Sequence, residues 1–188
     1  IFDIVAGERE IDFIVNLEDT EEEVWFSPSK LERILYNLLS NAFKYTQPGG
    51  YVKLSAKLIK EEKGTFVQIS VKDNGRGIPK EAQEQIFESY YQVEKRDHRE
   101  GFGLGLSLTR SLIHMHKGEI RVESEINKGS DFIVTLNVSE DAYNPDERSS
   151  ENITTEEIQK YNQRIKETIE PVSYTNLRAH ETTLHLVC

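Results

Sequence analysis

The sequence predicts an α/β fold: a two-layer sandwich in which a mixed, largely antiparallel sheet is covered on one face by three helices. Three observations predict it. Residues 29–45 carry apolar side chains at sustained helical spacing. Two segment pairs alternate apolar and polar residues across short polar turns, the pattern of β-hairpins. Strand-like and helix-like stretches interleave with short connections over residues 1–140.

Each element follows from its residues. Ile11, Phe13, Val15 and Leu17 alternate with Asp12, Ile14 and Asn16, which predicts a strand, and Val24-Trp25-Phe26 predicts a second, short one. Ser27 can cap a helix that Pro28 opens, and Ser29 with Glu32 offers a capping box slightly further on. Leu31, Ile34, Leu35, Leu38, Leu39, Ala42 and Phe43 then form one apolar stripe, and Pro48-Gly49-Gly50 turns the chain. Val52, Leu54, Ala56 and Leu58 pair with Val67, Ile69 and Val71 across a polar turn at 60–64. A short helix is expected over 80–87. A longer one is expected over 104–116, with Leu104, Leu108, Leu112 and Met115 on one face. Ile120, Val122 and Ser124 pair with Phe132, Val134, Leu136 and Val138 around Asn127-Lys128-Gly129.

Composition bounds the function. The chain has 188 residues, 37% apolar and 30% charged, enough for one domain with its own core plus an appendage. The mix excludes collagen-like and disulfide-knot classes, and the single cysteine, Cys188, suits a reducing compartment. No apolar run could span a bilayer and no secretory leader is visible. A net charge of −10 disfavours general nucleic-acid binding. The first residue, Ile1, predicts a fragment of a longer chain. Residues 1–9 read as the end of a connection from a preceding domain and 10–140 as the folded domain. Residues 141–171 read as an acidic linker with one amphipathic helix, where Thr154 and Glu157 form a capping box and Ile158, Tyr161, Ile165 and Ile169 keep helical spacing. Residues 172–188 resemble a translated sequencing adapter and are expected to be non-native.

Three segments carry chemistry. Asn37, Asn41 and Lys44 share one face of the 29–45 helix, where amides and an ammonium could hold a hydrated Mg²⁺ and an anionic phosphate chain, or simply face solvent. Asp73-Asn74-Gly75-Arg76-Gly77-Ile78-Pro79 ends a strand. Its carboxylate could accept from an exocyclic amine, with glycines that admit a flat ring, or the segment could be a plain turn. Gly101-Phe102-Gly103-Leu104-Gly105-Leu106 leads into a helix. Alternate glycines there free backbone N–H groups for phosphate oxygens, or form a flexible hinge. The polar run from Gln92 to Glu100 before it reads as a lid.

In this order the segments resemble the catalytic and ATP-binding domain of sensor histidine kinases, in the wider Bergerat-fold group shared with gyrase B, Hsp90 and MutL. Residues 38–46 resemble the N box, 73–77 the G1 box, Ile86-Phe87-Glu88 the F box and 101–106 the G2 box. The resemblance covers roughly residues 10–138 and implies ATP and Mg²⁺ as cofactors. It implies that Asn41 ligates Mg²⁺ with Asn37 beside it, that Lys44 contacts phosphate and that Tyr45 packs near adenine. It further implies that Asp73 accepts from the adenine amino group, with Gly75 in its loop and Gly77 and Ile78 lining the ring. Gly101, Gly103, Leu104 and Gly105 would wrap the phosphates, and Ser130 would sit near the base. Gln92 stands where some members have arginine, a charge that Lys95, Arg96 or Arg99 could supply.

Members that hydrolyse ATP carry a glutamate four residues before the Mg²⁺ asparagine. Here that position is Asn37, an amide that cannot act as a general base. The implied function is therefore γ-phosphoryl donation to a histidine. None of His98, His114, His116, His180 and His185 lies in an acceptor-like segment, and His114 and His116 read as helix C-terminal groups. The implied partners are a separate dimerisation and histidine-acceptor domain and a response regulator or receiver domain, the latter as in hybrid kinases. No nucleic acid and no direct membrane contact are expected. The implied location is cytoplasmic, with inner-membrane anchoring of the parent protein left open. Two alternatives remain: a non-catalytic nucleotide-binding regulatory module and, less favoured, a water-activating ATPase.

Overall fold

A five-stranded sheet, in the order β1-β2-β3-β5-β4, organises the chain. The structure, a computed structural model, describes residues 2–91 and 103–144. β1 (Asp12–Leu17) runs parallel to β2 (Tyr51–Glu61). All other pairings are antiparallel: β2 with β3 (Gly64–Asp73), β3 with β5 (Gly129–Asn137), and β5 with β4 (Glu119–Glu125). The parallel pair needs a crossover, and α2 (Pro28–Tyr45) supplies it. The expected mixed, largely antiparallel sheet is thus present, and both hairpins lie where alternation put them. Their turns are tighter than expected at the first: Glu61 pairs with Gly64, leaving only Glu62 and Lys63 between the strands.

Register explains the core. Val52 faces Asp73, Leu54 faces Val71 and Ala56 faces Ile69. Val71, Ile69 and Val67 in turn face Phe132, Val134 and Leu136. Because partners in register share a face, these residues, Asp73 apart, make one apolar surface. Ile34, Leu38, Leu39, Ala42 and Phe43 of α2 and Thr109, Leu112 and Ile113 of α3 (Gly105–Met115) are buried in the helical layer.

Several expectations change in detail. Val24-Trp25-Phe26 is not a strand; the Trp25 N–H donates to the carbonyl oxygen of Val138, just past the end of β5, at 2.9 Å. The 80–87 helix is two short 3₁₀ turns, Lys80–Ala82 and Gln85–Phe87. Ser27 sits at the N-cap of α2 but makes no side-chain capping bond. Its backbone N–H donates instead to Nε2 of His116 at 3.2 Å. The buried face of α3 is rotated from the expected one: Thr109, Leu112 and Ile113 point inward, while Met115 is half exposed. A run of leucines gives a broad apolar arc, and the packing partner decides which part is covered.

Residues 2–9, read as a connection, form a helix, α1 (Phe2–Arg9). Phe2 stacks on Phe43 of α2 with ring centroids 5.5 Å apart, and Phe13 of β1 meets Phe43 edge-on at 5.4 Å. Arg9 donates to the Phe43 carbonyl at 3.0 Å. Glu10, at φ 54°, turns the chain so that Asp12 N–H reaches the Gly50 carbonyl. Among the described residues no helix is long and apolar enough to cross a membrane.

Candidate functional site

The predicted site residues collect at one end of the sheet, where β3 ends, β5 begins, α2 ends and α3 starts. Asp73 is the last residue of β3, pairs in register with Ser130 and is only 5% exposed. Its Oδ1 accepts the Gly75 N–H at 2.8 Å, an Asx-type turn, and the Ser130 backbone N–H also bonds the carboxylate. Burial pushes the Asp73 carboxyl above the usual range. The two backbone donors pull it back down and the Asp131 charge adds to the rise. A buried acceptor with two fixed donors on it has lone pairs left for a third donor.

The following loop is clamped by protein, which explains its glycines differently from the sequence expectation. A Cβ on Gly75 would lie 2.3 Å from the Tyr45 carbonyl oxygen, and one on Gly77 would lie 2.0 Å from that of Glu125. Gly77 also has φ +71°. The glycines let the loop press onto the end of α2 and onto the β4–β5 turn. The Arg76 N–H donates to the Tyr45 carbonyl at 3.4 Å, and the Arg76 carbonyl accepts from Asn127 N–H at 2.8 Å. Ile78 N–H donates to Ser124 Oγ at 2.8 Å, and Ser124 Oγ lies 3.1 Å from Ser130 Oγ. Gln83 closes the arrangement, donating to the carbonyls of Ile78 and Ser124.

On α2, Asn37 and Asn41 hold the spacing that puts them on one helical face. Asn37 is not free for solvent: its Nδ2 donates to Oγ1 of Thr109 on α3 at 2.8 Å. A Cβ on Gly105 would fall 2.4 Å from Asn37 Oδ1, so Gly105 sets how closely α3 begins against α2. Lys44 Nζ lies 5.1 Å from the centre of the Tyr45 ring, and the Arg76 guanidinium carbon lies 4.2 Å from it. Gly103, at φ +65°, abuts the backbone of Tyr90 and Tyr91, and its carbonyl accepts the Tyr90 N–H at 2.9 Å. Leu104 sits at the N-cap of α3. Gly101, and with it Gln92, Lys95, Arg96 and Arg99, lies outside the described residues.

Asn37, Asn41, Lys44, Tyr45, Asp73, Gly75, Gly77, Ile78, Gly103, Leu104, Gly105 and Ser130 therefore come from the elements that meet at this end. Thr109, Ser124 and Arg76 belong here too and are not evident from the sequence. Ser124 is signalled only by its register opposite Ser130. Thr109 is one of several polar residues on α3, and Arg76 sits among glycines whose loop geometry decides what it covers. His116, by contrast, lies 3% exposed at the end of α3. Its Nδ1 donates to the Leu112 carbonyl at 3.0 Å and its Nε2 accepts from Ser27 N–H. This is a helix-terminal role, as the sequence suggested.

Known proteins share this domain. A family model described as histidine kinase-, DNA gyrase B- and HSP90-like ATPase matches residues 26–140. The adaptive-response sensory kinase SasA of Synechococcus sp. (strain JA-2-3B'a(2-13)) is 39% identical over 134 residues, 71% of this chain and 34% of that protein. The sensor histidine kinase WalK of Bacillus subtilis (strain 168) is 38% identical over 139 residues, 73% of this chain and 22% of that one. The chain thus spans about a third or less of these curated relatives. The crystal structure of full-length ShkA in complex with AMPPNP superposes with a TM-score of 0.63 at 29% identity, covering 72% of this chain and 27% of that one. With the matched family model, the shared sandwich and the four boxes in order, the chain belongs to the histidine kinase-, DNA gyrase B- and HSP90-like ATPase family, and its domain is of the kind found in sensor histidine kinases.

Proposed function

We propose that the chain binds Mg·ATP at the end of the sheet described above and donates the γ-phosphoryl group to a histidine of a separate acceptor domain. The observation that carries the nucleotide reading is Asp73. It is a buried strand-end carboxylate, oriented by two backbone N–H groups, with acceptor capacity left for an exocyclic amine. An ion-dipole bond to such an amine favours adenine, which presents a donor there, over guanine, which presents an acceptor. The AMPPNP complex of ShkA is in keeping with this reading.

The remaining residues divide the work. Tyr45, Ile78 and Gly77 form the base end, and Ser130 lies beside Asp73. Gly103 and Leu104 lead into α3, whose N-terminus favours the negative charge of the phosphates. Lys44 neutralises phosphate charge. Among the described residues no group of three His, Cys, Asp or Glu could hold a metal ion. A hard, hydrated cation can still be held by one protein oxygen together with phosphate oxygens, and Asn41 supplies that oxygen. When bound, Mg²⁺ offsets charge on the phosphate chain. In the reaction the γ-phosphorus bond to the β–γ bridging oxygen breaks, a bond to the acceptor imidazole nitrogen forms, and ADP leaves. Asn37 lacks a basic atom and is engaged with Thr109, which argues against activation of water.

Calorimetry on the full chain tests the site. ATP and ADP should bind in Mg²⁺ and GTP should not. Asp73→Asn should weaken ATP at least tenfold and erode the preference over GTP, and Asn41→Asp should weaken Mg·ATP. No heat at millimolar ATP would overturn the proposal. A regulatory module that binds without transferring is the second reading. Of the described histidines His116 is buried and His114 is exposed in the last turn of α3, and transfer to a supplied acceptor domain decides between the two readings.

A further inference from the structure

We infer that Arg76 is a positioning residue for Tyr45: its guanidinium plate holds the tyrosine ring as one wall of the base end of the nucleotide site. The inference rests on the reading of this site as a nucleotide site.

Three observations carry it. The guanidinium carbon of Arg76 lies over the Tyr45 ring, 4.2 Å from its centroid, which is cation–π contact. The Arg76 backbone is fixed on both sides, donating to the Tyr45 carbonyl and accepting from Asn127 N–H. The glycines at 75 and 77 have no room for a Cβ against the carbonyls of Tyr45 and Glu125, so the loop cannot shift to aim Arg76 elsewhere without losing its packing. A long surface arginine ordinarily samples many rotamers. Here its Cα is anchored directly beside the ring that it covers. Tyr45 is the last residue of α2, before the C-cap at Thr46, and Lys44 Nζ lies further from its ring, at 5.1 Å. A planar cation laid on it restricts it, and lysine, a point charge on a flexible stem, cannot match a plate on a ring.

The claim differs from a phosphate-binding role, which the same charge could serve. A residue that acts through Tyr45 affects the base end and is indifferent to phosphate number. A phosphate ligand gives an effect that grows from AMP to ADP to ATP. Titrations of the full chain with these three nucleotides in Mg²⁺, by calorimetry or NMR, separate the two. Arg76→Gln should weaken all three by a common factor of about 3- to 10-fold, and Arg76→Lys should restore only part of the loss. In a Tyr45→Leu background the Arg76→Gln effect should vanish, because the ring it positions is gone. Unchanged affinities in Arg76→Gln would overturn the inference. So would a loss that grows with phosphate number, full rescue by Arg76→Lys, or a loss that persists without Tyr45. In each of those cases the nucleotide site itself stands. If the unmodified chain binds none of the three, the nucleotide reading and this inference fall together.

Discussion

Asp73 and His116 are both buried, and burial works against the charge of each. At Asp73 two backbone donors offset part of that cost. At His116 burial pushes the imidazole below its ordinary value, with the Lys30 charge adding to the fall and the bond to Leu112 opposing it. The neutral ring donates through Nδ1 and accepts Ser27 N–H through Nε2, so protonation removes the acceptor that holds the entry to α2. A histidine whose folded pKa is depressed contributes stability that is present above the unfolded value, near ~6.5, and is lost as pH falls through the folded value. The His116 contribution should therefore fall between pH 7.5 and pH 5.5, while Asp73, whose carboxyl is raised, works in the opposite direction. His116→Asn should be less stable at pH 7.5 and lose less of its stability on acidification. Thermal scans at the two pH values check this; an identical pH dependence in the variant would contradict it.

At the scale of elements, the contact between α2 and α3 decides whether the site is assembled. α2 brings Asn41, Lys44 and Tyr45, α3 starts where the phosphates are proposed to lie, and the two meet through Asn37, Thr109 and Gly105. Gly105→Ala places a methyl 2.4 Å from Asn37 Oδ1, so the amide or the helix must move. We expect a stability loss of about 1–3 kcal/mol and weakened ATP binding, measured by denaturant titration and calorimetry. Stability and affinity equal to wild type would show that the two helices do not depend on this close approach.

The elements also show what the sequence could tell. Helix α2 was legible because its apolar stripe runs for four turns and ends at proline and glycine. The hairpins were legible because both strands of each alternate. Helix α1 was not: eight residues with a glycine give little periodicity, and its stability comes from Phe2 meeting Phe13, Tyr36 and Phe43, partners far away in the chain. Asp73 and the box glycines were legible as types at spacings. Their reasons were not, since it is backbone from Tyr45 and Glu125 that excludes a side chain at 75 and 77, and no local pattern reports that. Arg76 and Thr109 were illegible for the same cause: what each touches is set by tertiary approach.

For the whole molecule, the family match ends at residue 140 and the sheet closes at Asn137, with Tyr143 Oη placed between the carbonyls of His116 and Asn137. We propose that the ATP-binding domain is complete by about this point, and that residues 172–188 contribute nothing to it. A chain cut after Pro171 should keep its ATP affinity and its stability to within about 0.5 kcal/mol, read by calorimetry and thermal scans. Unfolding, or loss of ATP binding, on removal of 172–188 alone would show the tail to be native structure.

The central claim is phosphoryl transfer to a histidine outside this chain, and a mixing experiment tests it most directly. The chain is incubated with γ-labelled Mg·ATP, alone and with a separately supplied histidine-acceptor domain. The account predicts no label on the chain alone and acid-labile, base-stable label on the acceptor histidine in the mixture, abolished by Asp73→Asn. ATP binding without any phosphohistidine in the mixture would contradict it.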